Sequence, residues 1–550
     1  MSRIYSLFTF LIFSSGLAAQ QAPQLATDSP DHAILTAVEG AGQFAATITE
    51  EDLRSYLSVL ASDSLQGRET GTEGQRMAAD FIAHHFETLG LPKIGDPDPE
   101  TGEPSYFQYI AFTSERWDRG GLKLKVGDTE FGVLKDFYAY PSENADRGEA
   151  ETSEVLFLGY GIDDEKYSDY AGVDAAGKTI LIYAGEPMDA EGRSYVTGDT
   201  TVSDWSKNRL LKLEAAHKHG VERLLVIDPD IKRNISQNRM ELFGGRMKMG
   251  WGENPEERFA NSFFISSTVA RAIVGDAFED FVKVRDSIKT TGEPAQLALK
   301  TSLVTSQKKL VNQLTGSNVL GYIEGADEKL KDEVVVVSAH YDHLGMRGNS
   351  IFNGADDNGS GSSMVMELAQ AFAEAKKAGA GPRRSVLFLL VSGEEKGLLG
   401  SEFYSEHPVF PLENTVADVN VDMIGRTDKK HRDDPNYIYV IGADRLSTML
   451  HKINEAANQQ FVNLELDYTY NAEDDPNRFY YRSDHYNFAK HGIPSVFFFS
   501  GTHEDYHRPT DTVDKIMFDK MVKIGQLVFY TTWELANRDE RIQVDVPQEN

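Results

Sequence analysis

Five short motifs in this 550-residue chain concentrate histidine and carboxylate side chains of the kind that hold metal ions. His340 and Asp342 lie two apart in SAHYDHLG, Asp356 and Asp357 are adjacent in GADDNGSG, and Glu394 and Glu395 are adjacent in VSGEEKGLLGS. Asp422 stands in VNVDMIG, and His503, Tyr506 and His507 share HEDYHRPTDT. Two histidines and three carboxylates converging from among these would suit zinc, which takes imidazole nitrogen and carboxylate oxygen at about 2.0–2.2 Å. One carboxylate can bridge two such ions about 3.5–4 Å apart. Alone, each fragment has an ordinary reading: HxD as a hydrogen-bonded loop pair, DD before NGS as a turn or helix cap, a lone Asp as a strand end. GEE is harder to dismiss, because adjacent carboxylates after a very apolar strand repel one another unless a cation or proton intervenes. Five such fragments in this order are not an accident of composition.

The elements that must position these residues are legible around them. VVVVSAH, SVLFLLVS and TVADVNVDMIG are apolar runs that alternate with helical patterns, one from about Ser362 to Lys377 and one near Gly397. Such alternation implies an α/β fold with a largely parallel sheet covered on both faces. His340, Glu394, Glu395 and Asp422 all follow the ends of these runs, the place where open α/β sheets bind ligands. Further upstream, residues 49–91 carry helical apolar spacing in two stretches, through Leu53, Tyr56, Leu57 and Leu60 and then Met77, Phe81, Ile82 and Phe86, joined by the turn-rich GRETGTEG. Residues 113–299 read as short alternating strands between Gly- and Asp-rich turns, a separate β-rich module. Residues 21–48, polar and with Pro23 and Pro30, read as a flexible lead-in.

SAHYDHLG, GADDNGSG, VSGEEKGLLGS, VNVDMIG and YHRPTDT, with GRETGTEG before them, resemble the M28 family of zinc peptidases. The stretch FLGYGIDDEKYSDYAGVDAAGKTILIYAGEP resembles the protease-associated (PA) domain that one bacterial aminopeptidase branch of that family carries as an insert. The resemblance runs from about residue 49 to 537. It implies a catalytic domain built from residues 49–112 and 300–540, with a mostly parallel mixed sheet flanked by helices, and a PA insert over 113–299 that shapes or gates access to the site. It implies two zinc ions: His340 and Asp422 on one, Glu395 and His507 on the other, Asp357 between them. Asp342 would then accept a hydrogen bond from the His340 imidazole. With Glu395 assigned to metal, Glu394 is left as general base, and Tyr506 resembles the family's oxyanion-stabilising tyrosine. The implied activity is removal of amino-terminal residues from peptides. Carboxypeptidase or dipeptidase activity on the same fold is the alternative, with Arg426 and Arg482 as possible carboxylate partners. A non-catalytic receptor built on the fold is disfavoured by retention of Glu394 and every ligand. The aromatic run Phe479, Tyr480 and Tyr481 belongs either to a substrate pocket or to the core.

Composition excludes other classes. With 55 basic against 86 acidic residues the formal charge is -31, which repels a phosphate backbone, so nucleic acid is not an expected partner. GVDAAGKT over Gly172–Thr179 matches the phosphate-loop pattern letter for letter, but a strand-like TILIY follows where that loop requires a helix, so no nucleotide is expected. His217 and His219 read as a solvated helix face without converging carboxylates. Arg3, the apolar run Ile4–Phe13 and small residues to Gln20 have the layout of a cleavable secretory signal over residues 1–20. The apolar run is well short of the roughly 20 residues of a spanning helix, so no membrane anchor is expected after cleavage. The chain has no cysteine, so the expected secreted or periplasmic protein relies on its core and metals rather than disulfides.

Overall fold

The computed structural model describes residues 34–244, 247–250 and 258–547. The signal segment expected over residues 1–20, and the start of the lead-in to residue 33, lie outside the described residues.

The strand Val334–His340 is buried along its whole length, and β-branched runs of this kind persist only where both sheet faces are covered. It pairs in parallel with Ser385–Val391 on one side and Thr415–Val421 on the other. Ser495–Phe499 adds a further parallel strand beside Thr415–Val421, Tyr437–Ile441 pairs antiparallel with it, and Glu465–Asp467 forms the edge in parallel with Tyr437–Ile441. Alternate residues divide between the faces. Val335, Val337 and Ala339 pack with the helices Gly361–Lys377 and Phe518–Asn537, whereas Val334 and Val336 pack with Tyr404 and Phe488 of the helices Leu399–Glu406 and His485–Ala489. The covered, mostly parallel sheet expected from the apolar runs is present. The two upstream helices are Glu50–Leu60 and Glu73–Leu89, except that Met77 is exposed rather than on the packed face.

Two long strands, Phe107–Val126 and Gln296–Ile323, pair antiparallel from Phe107 opposite Val319 to Val126 opposite Leu303 and lead out of this sheet. At their far end Arg147–Leu158 joins antiparallel, followed in parallel by Thr179–Tyr183, Arg223–Ile227 and Asn261–Ile265. The helices Arg209–Lys218, Ser267–Val274 and Phe278–Thr291 belong to this unit. It is therefore a layered α/β unit, not the strand-dominated module expected: its buried apolar runs are short, and periodicity alone does not separate short strands from short helices. Its buried side chains, from Leu122 to Leu303, form clusters separate from those of the first sheet. Thr179–Tyr183 is the strand that follows the phosphate-loop-like letters, in the place of the helix such a loop needs.

The described part of the lead-in is not loose. Ala41, Phe44, Ala45 and Ile48 are buried in the main core, and Phe44 stacks on Trp533 at 5.7 Å between centroids. The Thr36 amide and hydroxyl donate to the Glu534 carboxylate at 3.0 and 2.8 Å, and Ala37 accepts from the Trp533 indole at 3.0 Å. Ile34, Leu35 and Val38 also pack against this core, and the polar residues between these apolar positions concealed the docking. Phe44→Ala should cost about 3–5 kcal/mol of stability. Chemical unfolding followed by tryptophan fluorescence checks this, and an unchanged midpoint would mean that the segment does not dock.

Candidate metal centre

Each candidate side chain is delivered by a strand end or by a loop held against one. His340 is the last residue of its strand, and Glu394 and Glu395 follow Val391 through Ser392 and Gly393, whose φ of 74° makes the turn that aims both carboxylates inward. Asp422 follows Val421. Asp357 lies in the loop before the Gly361 helix, where the Asn358 side chain accepts from Gly361 and Met423 and donates to the Val421 carbonyl, clipping the loop beside Asp422. Gly361 permits this approach: a Cβ there would meet Asn358 Oδ1 and the Val421 carbonyl, each at 2.3 Å.

These ends converge. His340 Nε2 stands 3.5 Å from Asp357 Oδ1, 3.5 Å from Asp422 Oδ1 and 3.8 Å from Glu394 Oε2. His507 Nε2 stands 3.1 Å from Asp357 Oδ2 and 3.3 Å from Glu395 Oε2. Asp357 thus turns one oxygen to each histidine. Of the adjacent pair, Asp356 faces away: it accepts from the Gly425 amide at 2.6 Å and lies 3.2 Å from His503. All eight residues singled out from the sequence as catalytic or ligating are brought to this region.

Asp342 plays a different part from the one expected. The His340 Nδ1 lies 3.1 Å from the Asp342 main-chain carbonyl, while the Asp342 carboxylate is 3.7 Å away. That carboxylate instead accepts from Thr70 Oγ1 at 2.6 Å and from the Glu394 amide at 3.2 Å, tying the His340 loop to the Glu394 turn. A residue two positions on from a strand end leaves the plane of its neighbour, so sequence spacing alone did not settle which group the imidazole meets.

Several residues of the site went unread. His343 is buried with Nδ1 2.8 Å from Glu395 Oε1, and His343, Asp357 and Glu395 bring ligand-capable atoms within 4.8 Å of one another, as do His340, Glu394 and Asp422. Its signal was the second histidine of SAHYDHLG. Arg68, fully buried, donates to the carbonyls of Tyr341 at 2.8 Å, Asn353 at 2.6 Å and Gly354 at 3.0 Å, so one guanidinium pins the backbones leading to Asp342 and Asp357. Asp511 accepts from the amides of Asp356 and Asp357 at 3.0 and 3.1 Å, and Ser483 donates to Asp422 Oδ2 at 2.9 Å. Arg68, Leu398, Met423 and His507 all adopt left-handed backbone around the site, a strain of about 1–3 kcal/mol each that a surrounding network must hold.

Outside the cluster, Arg426 pairs with Asp505 at 3.1 Å, which makes it a staple of the His507 loop. Arg482 and Phe479 line the pocket, while Tyr480 packs among the aromatic rings behind it. His219, expected to be solvated without a carboxylate, is corrected by its contacts: it lies 2.9 Å from Asp163 and stacks on Tyr170 at 4.3 Å, a pairing formed by a residue 56 positions away.

The electrostatics are those of an unneutralised ligand set. Burial raises the Glu394 carboxyl well above its ordinary range, and the Glu395 charge adds to this. Burial pushes Glu395 the same way, but contacts from His343 and His507 overcome it and hold it well below the carboxylate range. Burial disfavours the His340 imidazolium, yet Glu394 and Asp422 raise it well above the usual histidine value; His507, likewise opposed by burial, is raised to about 10 by Asp357 and Glu395. Asp357 Oδ2, Glu395 Oε1 and Asp422 Oδ1 are buried without hydrogen-bond partners although nitrogen atoms stand close by. Atoms that converge without satisfying one another fit shared cations, and imidazole with carboxylate is a zinc donor set.

The model of peptidase family M28 matches residues 318–532. The Aminopeptidase YwaD of Bacillus subtilis (strain 168) is 27% identical over 241 residues, which is 42% of this chain and 48% of that protein. A probable leucine aminopeptidase of Arthroderma otae is 30% identical over 257 residues, 42% of this chain and 67% of that protein. The chain thus spans about half to two thirds of the curated relatives it matches. The solved aminopeptidase from Aneurinibacillus sp. strain AM-1 aligns over 92% of this chain and 99% of its own with a TM-score of 0.54 at 20% identity, a likeness of fold.

Because His340 and His507 favour their protonated forms in the metal-free site, zinc must displace protons from both. Zinc affinity should therefore rise with pH until about pH 10, where His507 gives up its proton unaided, with protons released on binding below that pH. Calorimetry in buffers of different ionisation enthalpy measures that release, and a pH-independent affinity would contradict protonated imidazoles in the metal-free site.

Proposed function

As this chain belongs to peptidase family M28, we propose that it is a secreted, two-zinc aminopeptidase that removes residues from the amino end of peptides. The observation that carries the reading is Asp357, whose two oxygens face His340 and His507 separately, at 3.5 and 3.1 Å. His340 and Asp422 would hold one ion, Glu395 and His507 the other, with Asp357 shared. His343 backs Glu395 from the buried side, and Asp342 holds the turn that carries Glu394. Zinc, when bound there, supplies Lewis acidity toward a carbonyl oxygen and makes water a stronger acid.

The chain's own residues supply the rest. Glu394 lines the pocket and is bound to neither histidine by a hydrogen bond, so its carboxylate takes the proton of the attacking water and returns it to the departing amine. Glu394 must be ionised to begin this, and the positive charge that the ligand set calls for offsets the burial that otherwise keeps it protonated. Tyr506, whose hydroxyl is kept protonated by burial and by the charges of Asp357 and Glu395, lines the same pocket and donates to the developing oxyanion. Its ring stacks on His507 at 3.8 Å, so the ligand loop and the tyrosine are positioned together. The unit that the two long strands carry is read as a PA domain that shapes access, on the likeness of residues 157–187. Export is read from the layout of residues 1–20.

Mass-spectrometric analysis of products from zinc-loaded protein on matched peptides with free or acetylated amino ends tests the reading. Stepwise loss from the free amino end, abolished by a chelator, is expected; cleavage of acetylated peptides from the carboxyl end would replace it with a carboxypeptidase. Glu394→Gln should retain both zinc ions by elemental analysis while kcat falls at least about a hundredfold. Near-normal turnover of that variant would remove Glu394 from the mechanism.

A further inference from the structure

The pocket over the candidate metal centre has apolar walls in Met423, Phe479, Phe497 and Phe499, yet it also contains an arginine that none of the proposed chemistry uses. Among the described residues lining it, Arg482 is the single Lys or Arg. Its contacts are the Phe479 ring, 4.7 Å from the guanidinium carbon to the centroid, and the Tyr506 hydroxyl, 3.5 Å from Nη2. No carboxylate is among them, in a chain with 86 acidic residues against 55 basic ones and with the nearby Arg426 paired to Asp505. We propose that Arg482 makes this pocket select substrates that carry a carboxylate close to the scissile bond; the proposal rests on the aminopeptidase reading.

The placement of Arg482 is prepared by its neighbours. The next residue, Ser483, donates to Asp422 Oδ2 at 2.9 Å and accepts from Asn420 at 2.9 Å, and Asp484 accepts from Ser401 Oγ at 2.6 Å. On the other side, the Arg482 amide donates to the Phe479 carbonyl at 3.0 Å, and the Phe479 amide donates to Asp475 at 3.1 Å. The backbone of Arg482 is thereby locked to a residue of the proposed ligand set. With the flat face of the guanidinium on a ring and one edge toward Tyr506, the remaining N–H groups form the planar fork that takes a carboxylate by two parallel hydrogen bonds. Such a group can come from two sources: the free carboxyl of a dipeptide, or an acidic side chain on the residue being removed.

Kinetics of the zinc-loaded protein on two matched pairs separate the sources: Leu-Ala against Leu-Ala-amide, and Glu-Ala-amide against Gln-Ala-amide. In at least one pair the carboxylate member should have a kcat/KM at least about tenfold higher, and the pair that shows it identifies the source. Arg482→Met should bring that ratio close to one, chiefly through KM, and Arg482→Lys should keep part of it. A role in packing alone would slow all four substrates together and leave the ratio unchanged in Arg482→Met, which would overturn the proposal. Ratios near one in both pairs for the native protein would also overturn it, while turnover of Leu-Ala-amide would leave the aminopeptidase reading standing. Turnover of none of the four would overturn both.

Discussion

Asp357 sits between two imidazoles with its carboxylate split between them, and the structure around it is arranged to hold negative charge in a place that burial makes expensive. Asp342, Asp357, Glu394, Glu395 and Asp422 are all buried or nearly so within one small region, against three histidines. Isolated buried carboxylates neutralise by taking up protons, and the raised pKa of Glu394 and Asp422 shows that pressure. A cation relieves it more completely than protons do, because each oxygen can point at the ion instead of at another acceptor. The strand ends, the loops and the buried arginine serve this demand.

Convergence of this kind needs backbones held to a fraction of an ångström, and the chain achieves it with polar anchors rather than apolar contacts. Arg68 gathers four carbonyls, those of Leu60, Tyr341, Asn353 and Gly354, Asp511 gathers two amides, Asn358 bridges two loops and Ser483 steadies Asp422. Each anchor is nearly or fully buried, so leaving its partner unpaired would cost the full desolvation of a polar group. The left-handed residues Met423 and His507 are the strained counterpart: backbone that no propensity favours, kept in place because the neighbouring hydrogen bonds over-determine it.

The two layered units divide the labour. The ligand-capable side chains lie on the unit whose parallel strands end at the site, and the other unit is joined to it through two long paired strands, a connection stiffer than a loop because its hydrogen bonds run continuously apart from one shift between Trp117 and Leu122. Placement of the ligand-capable side chains at the strand ends of one unit lets loops elsewhere change without disturbing the ligand set.

Much of this was legible in the linear order of residues. The apolar runs ending at His340, Val391 and Val421 identified a covered parallel sheet, and the residues just beyond them identified where chemistry would sit, because strand burial and strand-end binding are local regularities with short periods. Histidine and adjacent carboxylates in five motifs pointed to zinc for the same reason: donor type is a property of the side chain. What only the tertiary structure decided were relations through space. Spacing did not tell Asp356 from Asp357; the turn that aims one at His340 and His507 and the other at Gly425 did. Asp342 was placed on the wrong partner, His343 and Arg68 were passed over, residues 34–48 were taken as loose, and the insert's helices other than the one at His217 were missed. Each depends on contacts between residues far apart in the chain, such as Arg68 with Asn353 or Thr36 with Glu534, and no local pattern encodes a distance across a fold.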